Sequence, residues 1–100
     1  MPYSYALAEH GRTLATRPFA KRLRAEVIDA AAGSQLLELD FADVLSASHS
    51  FADELVAQLA EESQKGDIDF QIAVVNAAPP VEARIAKALE LRAVQITELA

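Results

Sequence analysis

Residues 36–62, LLELDFADVLSASHSFADELVAQLAEE, contain a strand, a loop and a helix start in that order. Leu36, Leu37, Leu39 and Phe41 form a dense apolar run broken only by Glu38 and Asp40, which predicts a strand in the interior of a sheet. A stretch of small residues follows. A helix is then predicted from Ser50, with Phe51, Leu55 and Leu59 on one side and Val56 beside them. Ser50 at the N-cap would place Asp53 at the third helical position, where its carboxylate can accept a hydrogen bond from the Ser50 N–H. That is a capping box with Asp in place of the usual Glu. Asp53 and Glu54 would also sit at the positive end of the helix dipole, each worth up to about 1 kcal/mol. As a cap, Ser50 needs no further role.

Working outward, Tyr3, Tyr5 and Leu7 alternate with Ser4, Ala6 and Ala8, which predicts a first strand with one buried face. Thr16 is the expected N-cap of a first helix, and Pro18 falls in its first turn, where a missing N–H is harmless. Phe19, Leu23 and Val27 recur every four residues as its buried stripe, and Gly33 ends it. Downstream, Lys65-Gly66-Asp67 reads as a turn, and Ile68, Phe70, Ile72, Val74 and Val75 as another strand. Pro79-Pro80 opens a third helix carrying Val81, Ile85 and Leu89. Residues 92–99 suit either a continued helix or a short edge strand. The order β-α-β-α-β-α predicts one α/β domain over residues 1–100, with helices packed on a mostly parallel or mixed sheet of three or four strands.

Composition narrows the function. The 100 residues are 52% apolar, with three Gly and four Pro, the make-up of one globular domain. No apolar run nears the ~20 residues that span a bilayer, and MPYSYALAEHGR lacks a secretory pattern. No membrane association is expected. With no cysteine, a cytoplasmic location is expected. Net charge is −6, unevenly placed: Arg12, Arg17, Lys21, Arg22 and Arg24 against Glu9 give residues 1–24 a net +4, leaving −10 for the other 76. An acidic chain is a poor match for nucleic acid. Arg17, Lys21 and Arg24 share a face of the first helix, where they either cover apolar surface with their stems or meet an acidic partner. His10 and His49 are the only histidines, so neither a metal site nor a cofactor is expected. His49 lies between Ser48 and Ser50, but adjacent residues rarely present side chains to one another. No catalytic residue is expected. Glu61, Glu62, Asp67 and Asp69 read as solvated surface charges.

The run LDFADVLSASHSFADEL resembles the central signature of STAS domains of anti-sigma factor antagonists: a strand ending in Asp, then Val, then Asp-Ser-Ser-Gly opening a helix. Asp40 and Val44 match the Asp and Val. Ser48-His49-Ser50-Phe51 falls on Asp-Ser-Ser-Gly, so Ser48 stands in place of Asp and Phe51 in place of Gly. Gly11, Thr16-Arg17, Ser50-Phe51-Ala52-Asp53-Glu54 and Val75-Asn76 are more similar still to a bacterial STAS-like family of unknown function. The resemblance implies a non-enzymatic regulatory module of bacterial signalling. Ser50 would be the phosphoacceptor, with Ser48 as the alternate, and Arg17, Asp40, Ser48, His49, Ser50 and Asp53 would face the partner. It implies a protein partner such as a histidine-kinase-like ATPase or an anti-sigma factor. The alternative is a structural interaction domain or complex subunit, for example a homodimer, in which Ser50 only caps its helix.

Overall fold

Four strands pair in the order in which the chain makes them. In the computed structural model, which describes residues 1–100, β1 (Pro2–Ala6) lies beside β3 (Leu36–Asp40), β3 beside β5 (Gln71–Val75) and β5 beside β6 (Glu98–Leu99). Every pairing is parallel. The expected α/β layer is therefore present, and its sheet is wholly parallel with four strands. A second, two-stranded ladder joins β2 (Thr13–Leu14) to β4 (Ser46–Ala47) at the carboxyl end of β1 and β3.

Sequential strand order has a consequence for the helices. Each crossover moves one strand in the same direction, so right-handed connections place every crossover helix on one face. Burial follows suit: Tyr5, Leu37, Leu39, Ile72 and Val74 point into the helical layer, while Ser4, Glu38 and Glu98, on the opposite parity, remain at least partly exposed. The molecule has two layers, with one sheet face uncovered.

The helical layer has α1 (Arg17–Ala31) and α4 (Pro79–Arg92) flanking a central helix. That central helix runs without a break through α2 (His49–Ala52), a π-helical turn (Asp53–Ala57) and α3 (Gln58–Lys65). Thr16 Oγ1 accepts from the Phe19 N–H at 3.4 Å, and Pro18 lies in the first turn of α1, as expected. Nine of the ten residues from Phe51 to Ala60 are buried, so the central helix is enclosed on almost every side, beyond the single stripe expected. Gly66 takes the left-handed conformation (φ 81°), and the Asp67 N–H reaches back to the Glu62 carbonyl at 2.9 Å to close α3. No helix is long and apolar enough to cross a membrane.

Two boundaries differ from expectation, and a third, left open between helix and edge strand, is decided. Leu7 lies in a 3-10 turn (Leu7–Glu9) beyond β1, yet is fully buried there. Ile68 and Phe70 precede β5, and Phe70 packs into the core from the turn. Ala93, left-handed at φ 55°, stops α4; β6 then forms the edge strand, with the Thr97 N–H on the Ile72 carbonyl at 2.8 Å.

Candidate functional site

The segment carrying the sequence signature starts from the β2–β4 ladder. The Ser48 N–H donates to the Leu14 carbonyl at 2.9 Å, which holds Ser48 extended (φ −75°, ψ 162°). His49 is the first residue with helical geometry, so Ser48 is the N-cap: its Oγ accepts from the Phe51 N–H at 3.0 Å and donates to the Ala15 carbonyl at 2.6 Å. The expected capping box at Ser50 and Asp53 does not form. Ser50 sits inside the first turn, half-buried, and its hydroxyl makes no hydrogen bond within the chain. The alternative in which Ser50 serves only as a cap therefore loses its cap, which lies two residues earlier. His49 is also half-buried and pairs with neither serine, since the Ser48 hydroxyl is bound to backbone.

Asp53 is drawn sideways instead of back to the helix start. Arg92 of α4 grips it with two hydrogen bonds, Nε to Oδ1 at 2.6 Å and Nη2 to Oδ2 at 2.9 Å, and Arg17 of α1 donates to Oδ2 at 2.9 Å. Arg17 also donates to Glu54 Oε1 at 3.0 Å, and Arg24 donates to Glu54 Oε2 at 2.8 Å and to Glu62 Oε1 at 2.9 Å. Arg92 further approaches Glu61 at 3.5 Å. Three arginines from two flanking helices thus hold four carboxylates of the central one. Buried carboxylates require such partners, and Asp53 and Glu54 are only 9% and 7% exposed. Glu61 and Glu62, expected to be solvated, are half-buried members of the network.

The π-helical turn explains how one guanidinium reaches both carboxylates of a pair. Glu54 and Glu62, held by Arg24, are eight residues apart, as are Asp53 and Glu61, held by Arg92. Two ordinary turns take up about 7.2 residues. Widening one turn from an i+4 to an i+5 repeat adds about one residue and brings positions eight apart onto one side.

The electrostatics follow from these contacts. Hydrogen bonds from Arg92, and then from Arg17, hold the Asp53 carboxyl down at about 2 although burial pushes the other way. For Glu54 burial is the largest single influence and acts upward, but hydrogen bonds from Arg24 and Arg17 together bring it below its ordinary value. Arg17 and Arg92 are raised, each chiefly by its hydrogen bond to Asp53.

Of the sequence-derived candidates, the structure brings Arg17 onto Asp53 and places Ser48, His49 and Ser50 at the start of the same helix. Asp40 makes no hydrogen bond to any of them. The Asp40 Oδ1 accepts from the Ala42 N–H at 2.9 Å and from Asn76 Nδ2 at 3.0 Å, tying together the carboxyl ends of β3 and β5. Asn76 is left-handed there (φ 60°), a conformation that Asn tolerates better than most residues. Lys21 is exposed and outside the network. The arginine–carboxylate assignments were missed from sequence, although a visible signal existed: two adjacent acids inside FADELVAQLA, an almost wholly apolar helix, call for cations from outside it. No group of three or more His, Asp or Glu side chains is placed to hold a metal ion.

An α/β layer with a capped central helix following a strand that ends in Asp is the arrangement of STAS-like domains. Compared with protein families, the chain matches the STAS-like domain of unknown function (DUF4325) over residues 20–82, and it belongs to that family. The matched stretch includes Asp40, Ser48, Ser50, Asp53 and Glu54, while Arg17 and Arg92 lie outside it. No curated protein and no solved structure matches the chain.

Proposed function

We infer that this STAS-like domain is a non-enzymatic protein-interaction module of bacterial signalling, switched by phosphorylation of Ser50. One observation carries the reading: of the two serines at the start of the central helix, Ser48 has both its hydrogen bonds satisfied, whereas Ser50 offers a partly exposed hydroxyl with no partner. A phosphate there would add about −1.5 to −2 charges in the first helical turn, where the dipole favours an anion. Asp53 and Glu54 lie three and four residues on, on the same side of the helix as Ser50. Arg17 bridges them there with a side chain 44% exposed. A phosphorylated Ser50 therefore adds negative charge on the side of Asp53 and Glu54, where it would compete with them for Arg17, at an edge where a partner can read it. Kinship with STAS partner-switching modules supports a histidine-kinase-like ATPase or an anti-sigma factor as that partner, and the cytoplasm as the place.

Intact-mass measurement after incubation with the cognate kinase tests the switch. The expected result is one added phosphoryl group, about 80 Da, on the wild type and none on Ser50→Ala. An unchanged wild-type mass, or the same gain in Ser50→Ala, overturns it. The second reading, a constitutive interaction domain, is separated by Ser50→Asp, which leaves the Ser48 cap untouched. Partner binding retained by that variant supports the constitutive role, and binding lost with the fold intact supports the switch.

A further inference from the structure

All-parallel sheets are almost always covered on both faces, because each crossover brings a helix. Here all the crossover helices lie on one face. The other carries a row that crosses all four strands in register, Ser4, Glu38, Ala73 and Glu98. Ala73 is 1% exposed, yet it stands apart from the continuous apolar core. It forms the floor between Glu38 and Glu98, which flank it on the adjacent strands about 10 Å apart, two strand spacings. Neither glutamate has a hydrogen bond or an ion pair within the chain, and no cation points from this face. Leu36 and Val75, one residue pair to either side of that row, are half-buried and also outside the core. Ala73 is already closed over, so the face combines the two half-buried aliphatic side chains of Leu36 and Val75 with two unpaired carboxylates.

We propose that the uncovered face of the β1-β3-β5-β6 sheet is a docking surface for a basic amphipathic helix of a partner protein. A Lys or Arg of that helix would lie over Ala73 between Glu38 and Glu98, with its apolar seam on Leu36 and Val75. Three arguments select this occupant. A helix is what covers a parallel sheet face in α/β proteins, and one helix about 10 Å in diameter fits within a face about 15 Å across. The charge requires a cationic partner, which excludes an anionic lipid surface or nucleic acid. A second copy would bring two acidic faces together, and strands of at most five residues give a face of about 15 by 17 Å, roughly 250 Å², well below the ~800 Å² per partner of a stable dimer. The small area makes the association weak and dependent on charge, so it should weaken as salt rises. This surface does not involve Ser50.

The probe is a synthetic helical peptide with a Leu/Ala seam and a Lys rim, titrated into the isotope-labelled full chain while backbone amide shifts are followed. The expected shifts cluster on residues 4, 36, 38, 73, 75 and 98. Glu38→Gln with Glu98→Gln should weaken binding about tenfold, and Glu38→Lys with Glu98→Lys should abolish it. Glu82→Lys, a charge reversal on α4, and Ser50→Ala should both bind as the wild type does. The spectrum of each free variant reports its fold. Shifts centred on the helical layer, equal binding by a peptide with Glu in place of Lys, loss of binding in Glu82→Lys, or the absence of any shift each overturn the proposal. So does face-localised broadening that grows with protein concentration before peptide is added, which would make a second copy the occupant.

Discussion

Ser48 and Ser50 carry the same side chain two positions apart, and only the first has partners. The difference is measurable. Ser48→Ala removes the acceptor for the Phe51 N–H and the donor to the Ala15 carbonyl, and should cost about 1 kcal/mol, toward 2 if the Ala15 carbonyl finds no substitute. Ser50→Ala breaks no contact and replaces a serine inside a helical turn with the best helix former, so chemical denaturation should place it within about 0.5 kcal/mol of wild type. A larger loss at Ser50 than at Ser48 would restore the cap to Ser50. Thr16 and Pro18 were legible because everything that fixes them lies within one turn. The choice of Ser48 over Ser50 was not, because it is made by a hydrogen bond from Ser48 to Leu14, 34 residues away.

At the scale of elements, the arginine–carboxylate network is what fastens α1 and α4 to the central helix at its polar positions. Arg92→Ala leaves the Asp53 carboxylate, 12% exposed with the network intact, with only the Nη1 of Arg17, and should cost about 2–3 kcal/mol, below the full value of a buried pair because Arg92 itself is 26% exposed. Asp53→Asn with Arg92→Met, which removes the charge together with its partner, should recover part of that loss in the same urea titration. The pH dependence has a definite sign. The folded-state value of Asp53, about 2, lies below its ordinary 3.8. Its contribution to stability is therefore complete above about pH 5 and is lost as pH falls through 3.8 toward 2. Asp53→Asn should flatten the acid limb of the stability curve between pH 5 and pH 2, and an unchanged limb would place that acid sensitivity elsewhere. The arginines on α1 were visible as one helix face, and Glu54 as an acid in an apolar helix. Their pairing was hidden because a π-helical turn shifts the phase of every carboxylate beyond it, and because Glu61 and Glu62 read as solvated from residue type alone.

At the scale of the molecule, the parallel α/β layer was legible because strand and helix periods alternate clearly along the chain and short connections leave few topologies. The open face was written in the same letters: Leu37 and Leu39 alternating with Glu38 and Asp40 mark a strand with one wet side, although the density of leucines reads as full enclosure. Residues 92–99 could not be decided locally, since β6 exists only through its pairing with β5. That dependence predicts a gradient of stability. β3 has a strand on either side and a fully buried inner face, so its amides should exchange with solvent only through global unfolding. β6 has a single neighbour, and its segment is held by the Thr97 N–H on Ile72 and the Ala100 N–H on Val74. Native-state hydrogen exchange should show these two amides opening locally, independent of low denaturant concentrations, while β3 amides follow the global transition. Equal protection at Thr97 and in β3 would mean that β6 folds as part of the cooperative core, with Leu99 packing against it doing more than the two hydrogen bonds.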